Sequence, residues 1–149
     1  MGITVQDVFD IAIRLMDAQN ESTGATDTAD TREYRVRTPA LLNSILDRAY
    51  PASDTYPGVE AGVRPVCPKT ASMEDEIGLD GRICTGVLPY GLAALLLTEE
   101  NPVLSNFFWQ TFLEQLEEAR RGLSGGIGGV EDCYDFMGDS LTYGRFSRW

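Results

Sequence analysis

Histidine is absent from the 149 residues, which removes the commonest general base and the commonest metal ligand together. Carboxylates, cysteines and arginines are among the groups that remain for chemistry. Glu74-Asp75-Glu76 is the densest acidic run. Paired-carboxylate catalysis needs two such groups held at a set separation across a substrate, and adjacent positions on a loop do not provide it. The run reads as a solvated acidic turn. Asp27 and Asp30 suggest a calcium loop, but that loop needs acids at positions one, three and five and a glycine at six. Counted from Asp27, position three is Ala29 and position six is Arg32, so calcium is rejected. Gly81 and Gly86 have the spacing that opens a phosphate loop, yet Val87-Leu88 follows where Lys and Ser or Thr are required. Cys67, Cys84 and Cys133 are odd in number and far apart, without a Cys-x-x-Cys pair. Reduced thiols in an intracellular setting are the default. No nucleophile has a base at a supporting spacing, so neither an enzyme, a cofactor nor a metal site is expected.

The composition narrows the partners. Hydrophobic residues make up 43% and charged residues 23%, as in ordinary globular domains. A net charge of −11 disfavours tight nucleic-acid binding, which depends on Lys and Arg neutralising phosphates. Lys69 is the one lysine among twelve basic residues. Arginine's planar fork leans towards protein contacts, although a biased base composition in the gene would give the same bias. Membrane spans need roughly 20 consecutive apolar residues; the run from Val87 to Leu97 is shorter and carries Pro89 and Gly91. Without a basic n-region at the start, a secretory signal is not expected. The expectation is a soluble protein.

Helical elements must position whatever these residues do. Thr4 caps a first helix with Asp7 as its reciprocal acid, and Val5, Val8, Phe9, Ala12, Leu15 and Met16 keep helical spacing until it fades near Gln19. Residues 20–31, NESTGATDTADT, read as a mobile loop. A long helix from about Asp30 to Tyr50, kinked at Pro39, gives Tyr34 and Val36 an apolar surface to join. Arg32, Arg35 and Arg37 cluster on its first turns as a solvated face screened by neighbouring acids. Four prolines and three glycines break residues 51–79 so often that no helix runs through. There Val63, Val66 and Ile77 are the expected anchors to the core. Recognition and a surface wrap around the helices are equal readings of that segment.

Asp80 to Gly122 holds the longest apolar run and reads as two antiparallel helices. Asp80 caps the first, a kink is expected near Pro89, and Asn101 with Pro102 starts the second. The first helix is apolar all round, so it must be central or lie at a subunit interface. The second carries Phe108, Phe112, Leu116, Ala119 and Leu123 on one stripe, widened by Leu104, Phe107, Trp109 and Leu113. The fold class is therefore mainly α: a bundle of about four helices with a proline-rich middle segment. Residues 1–122 form the helical domain, and residues 123–149 a glycine linker and an extended aromatic C-terminal arm. Around Leu141 to Phe146 the arm has the option of a short β-hairpin after a Gly138-Asp139 turn. Arms this aromatic dock, on their own core or on a neighbour, because disordered tails are poor in aromatics.

VQDVFDIAIRLMD, YRVRTPALLNSILDRAYP, RPVCP, LPYGLAALLLTEENP and the terminal FSRW together resemble small structural proteins encoded in prophages of Gram-positive bacteria near the capsid genes. More broadly, the chain is similar to the tailed-phage head–tail connector (adaptor, head-completion) family. That resemblance implies a ring, often of twelve copies, under the portal protein, extending the DNA channel and docking neck or tail proteins. It implies no membrane and no specific DNA binding, since an acidic channel lets the duplex slide. It places the chain in the host bacterial cytoplasm during assembly and then at the virion head–tail junction. Tyr134, Phe136, Tyr143, Arg145, Phe146, Arg148 and Trp149 become the expected contact residues, with the 20–31 loop as a second site. The alternative is a small intracellular helical module that binds a protein or ligand without catalysis.

Overall fold

Every backbone N–H at the start of the first helix has a partner, and the partners tie two distant parts of the chain together. In the computed structural model, which describes residues 2–59 and 61–123, α1 is Val5–Leu15. Thr4 N–H donates to Asp7 Oδ2 at 2.9 Å, and Asp7 N–H donates to Thr4 Oγ1 at 3.3 Å. Val5 N–H donates to the Asp75 carbonyl at 3.0 Å and Gln6 N–H to the Met73 carbonyl at 2.8 Å. All four groups that a helix start leaves unbonded are thus satisfied, the last two by residues 73–75. An isolated antiparallel bridge between Thr4 and Glu76 lies beside them.

α1 stops four residues short of the expected Gln19. Asp17 adopts φ 55°; Asp17 N–H donates to the Arg14 carbonyl at 3.1 Å and Ala18 N–H to the Ile13 carbonyl at 3.1 Å. This is a Schellman ending with aspartate in the left-handed position usually given to glycine. Residues 20–31 then make their own turns. Asn20 Oδ1 accepts from Ser22 N–H and Thr23 N–H, and buried Thr31 Oγ1 donates to the Thr26 carbonyl at 2.7 Å. Thr26 Oγ1 donates to Asp10 Oδ1 at 2.7 Å, fixing the segment to α1.

α2, Arg32–Ala49, runs through Pro39 as one helix, and Thr38 Oγ1 donates to the Tyr34 carbonyl at 2.7 Å in the turn before the proline. A 3-10 turn, Tyr50–Ala52, follows. The apolar stretch from Asp80 is broken rather than kinked: α3 is Gly81–Gly86 and α4 is Leu88–Leu96, parted at Val87. Pro89 has no N–H for the Thr85 carbonyl, and its ring would clash with that carbonyl in a continuous helix. α5 is Pro102–Leu123. With α3 and α4 counted as one broken helix, the architecture is the expected four-helix bundle, without a named strand among the described residues.

α4 sits at the centre and packs on α1, α2, α3 and α5. Leu88, Leu92, Ala93, Ala94 and Leu96 are buried in it, against Phe9, Ile13, Leu42, Leu46 and Phe112. Gly91 lets the helices close up: a Cβ there would lie 2.9 Å from Ile45 Cδ1 and 2.9 Å from Phe112 Cδ2. The proline-rich segment is pinned by polar contacts. Asn43 Nδ2 donates to the Thr70 carbonyl at 2.7 Å, while its Oδ1 accepts from Thr70 N–H at 2.9 Å and Thr70 Oγ1 at 3.0 Å. Asp47 Oδ1 accepts from Cys67 N–H at 3.1 Å and its other oxygen pairs with Lys69.

The apolar anchors differ from expectation at four places. Val63 and Val66 are exposed; Ile77 is buried as expected, together with Cys67, Met73 and Leu79 of that segment. Val36 faces solvent, whereas Tyr34 packs partly against the core. Phe107 also lies outside the stripe. Phe108, Phe112, Leu116 and Ala119 are buried along α5 as expected, with Leu104, Trp109 and Leu113 half-buried beside them.

Candidate interaction surface

Asn101 and Pro102 set the start of α5: Asn101 Oδ1 accepts from Leu104 N–H at 3.1 Å, and Pro102 takes the first helical position, where an N–H would have no partner. The helix therefore turns back along α4 within five residues, Leu97 to Asn101. Between the two lies an apolar groove of about 280 Å³, lined by Ala94, Leu95, Thr98, Pro102, Ser105, Asn106 and Trp109. Its hydroxyls are already engaged. Ser105 Oγ donates to the Ala94 carbonyl at 2.7 Å, and Thr98 Oγ1 donates towards the Ala94 and Leu95 carbonyls at 3.1 Å. Such a groove presents carbon surface and the Asn106 carboxamide, so it suits apolar side chains rather than a small polar ligand.

Trp109 forms one wall and is held from behind. Its ring centre lies 5.0 Å from that of Phe112, and the Arg48 guanidinium sits 5.4 Å over the indole, a cation–π stack that joins the end of α2 to α5. At the other end of α2, Tyr34 Oη donates to Glu100 in the α4–α5 turn. Burial, followed by the hydrogen bond and charge of Glu100, pushes the Tyr34 phenol up to about 12. On the opposite side of α5, Val103 and Phe107 are 82% and 61% exposed. One turn apart, they adjoin on the helix surface, and the Phe107 ring continues inward to Phe108 at 5.8 Å and Tyr90 at 6.3 Å beyond it.

Several other reactive groups among the described residues are engaged in the fold. Burial raises the Cys67 thiol and pushes Cys84 up to about 12, so both stay protonated and inert. Asp80 caps α3 by accepting from Ile83 N–H at 3.0 Å, and its second oxygen accepts from Asp54 N–H at 3.0 Å. Burial acts to raise its carboxyl, but these bonds outweigh that and hold it below the usual range. Asp75 of the acidic run accepts from Ala71 and Ser72 N–H groups, which lower its carboxyl too; Glu76 bonds Gly2. Arg35 reaches Asp27 at 3.0 Å and bonds Gln6, so the arginine cluster is partly tied into the fold.

Among the described residues, no set of three or more His, Cys, Asp or Glu side chains converges as a metal site. No described helix is long and apolar enough to cross a membrane. Tyr134, Phe136, Tyr143, Arg145, Phe146, Arg148 and Trp149 lie outside the described residues. The groove and the Val103–Phe107 patch were not foreseen from sequence. Comparison with protein-family models, with curated proteins and with solved structures returned no match.

Proposed function

We propose that the chain is a virion assembly protein, a head–tail connector of a tailed phage that works by adhesion and channel-building, without a covalent step. The observation that carries this reading is the placement of apolar surface. A closed helical core leaves Val103 and Phe107 outside, side by side on the first two turns of α5, as an adhesive patch for a neighbouring subunit or the portal. The sequence resemblance described above supports the same role, and the net charge of −11 suits a wall along which DNA slides.

Negative-stain images of the purified protein with and without portal rings test the reading. Added density or a ring of subunits on the portal vertex is the expected result, reduced by Phe107→Glu. A chain that stays monomeric and never joins portal rings overturns it in favour of the helical binding module.

A further inference from the structure

We propose that the α4–α5 groove is the seat of this chain's own C-terminal aromatic segment, Tyr134 to Trp149, returned onto the subunit it belongs to. This goes beyond the connector reading and does not rest on it. The groove lies between the start of α5 and the end of α4, away from the exposed Val103–Phe107 side.

Three observations select the occupant. The first is chemistry. Thr98 and Ser105 spend their hydroxyls on backbone carbonyls, leaving Leu95, Pro102 and Trp109 as surface for aromatic side chains; Tyr143, Phe146 and Trp149 stand at three-residue intervals in the last seven positions. The second is reach. Trp109 is fourteen residues before the end of α5, about 21 Å along the helix axis. A flexible glycine-rich tether of eleven residues, the number from Leu123 to Tyr134, would have an end-to-end distance of about 18 Å, and the sixteen residues from Tyr134 to Trp149 would extend that reach over the groove. The third is charge. Glu99 and Glu100 lie in the turn beside the groove, and Arg145 and Arg148 alternate with the aromatics. A second copy offers the same residues, but the tether supplies an effective concentration in the millimolar range that a free copy at micromolar concentration lacks.

The test uses the full chain carrying Cys133→Ser, Asn106→Cys and Ser147→Cys; Cys67 and Cys84 are buried. Under mild oxidation, an intrachain disulfide should form in the folded protein at least about tenfold faster than in denaturant, at a rate independent of protein concentration. Leu95→Asp, which sets a carboxylate in the groove, should remove most of that advantage. A folded-state rate no faster than the denatured one overturns the proposal, and so does a disulfide formed only between chains and rising with concentration. Should that variant fail to fold, Trp149→Phe leaves Trp109 as the sole tryptophan. Adding Tyr143→Ser and Phe146→Ser to it should raise acrylamide quenching of Trp109 about twofold or more, in line with the ring area uncovered. Unchanged quenching overturns the proposal. Portal binding enters neither measurement, so failure here is distinct from failure of the connector role.

Discussion

Gly91 of α4 faces Phe112 of α5 so closely that a Cβ at residue 91 would stand 2.9 Å from the ring carbon Cδ2. Alanine in place of glycine inside a helix normally gains about 1 kcal/mol. Here the new methyl must push both Ile45 and Phe112, and overpacking of this kind costs about 1–3 kcal/mol. Gly91→Ala should therefore destabilise, seen as a lower urea midpoint. Adding Phe112→Leu should recover part of the loss in a double-mutant cycle.

Asp80 joins the start of α3 to residue 54 through two backbone N–H groups. Asp80→Ala should cost about 1 kcal/mol, the usual value of a lost N-cap. Its carboxyl is held below the unfolded value, so its contribution is complete above about pH 4 and is lost as pH falls through the folded pKa. Asp80→Asn should flatten that acid limb. Thermal melts from neutral to acidic pH measure both effects.

Three hydrogen bonds join Asn43 to Thr70. At about 1 kcal/mol net for each, Asn43→Ala should lower stability by about 2–3 kcal/mol. Faster amide exchange at Thr70 should come with it, while the buried amides of α4 keep their protection relative to global opening. Asn43→Asp keeps the acceptor and should lose less.

Tyr34 Oη bonds Glu100, and the phenol is raised to about 12. Its proton is held more tightly folded than unfolded, so the contribution is present below the unfolded pKa of about 10 and declines as pH rises from there through the folded value. Tyr34→Phe should cost about 0.5 kcal/mol at neutral pH, the low end for an exposed hydrogen bond. Chemical denaturation at neutral and alkaline pH should show a shallower alkaline decline in the variant.

Local rules carried most of the helical reading. Thr4 with Asp7, Asp80, and Asn101 with Pro102 are capping signals confined to a few neighbours, and each is in place. The same rules stop at contacts made across the chain. Nothing near Val63 or Val66 in sequence says that Asn43 and Asp47 will hold the segment by its backbone and leave those valines outside. Asp17 in the left-handed position ends α1 before the expected Gln19; glycine is the familiar mark of such an end and aspartate the rarer one. The groove was hidden for a related reason. Thr98 and Ser105 read as polar surface until their hydroxyls are seen spent on α4 carbonyls. The aromatic arm stood out by composition alone, and the described residues end before it.

The hydrogen bonds from Val5 and Gln6 to Asp75 and Met73 also limit when the start of α1 can be completed. As the chain leaves the ribosome, α1 emerges ahead of residues 73–75, with two of its leading N–H groups still facing water. Their acceptors arrive about seventy residues later, and closing so long a loop costs entropy before the contact returns anything. α4 depends on the same helix, since its apolar surface is covered on one side by α1. α1 thus gains these two partners only once residues 73–75 have been made, and a nascent chain halted before residue 73 holds α1 without its clasp.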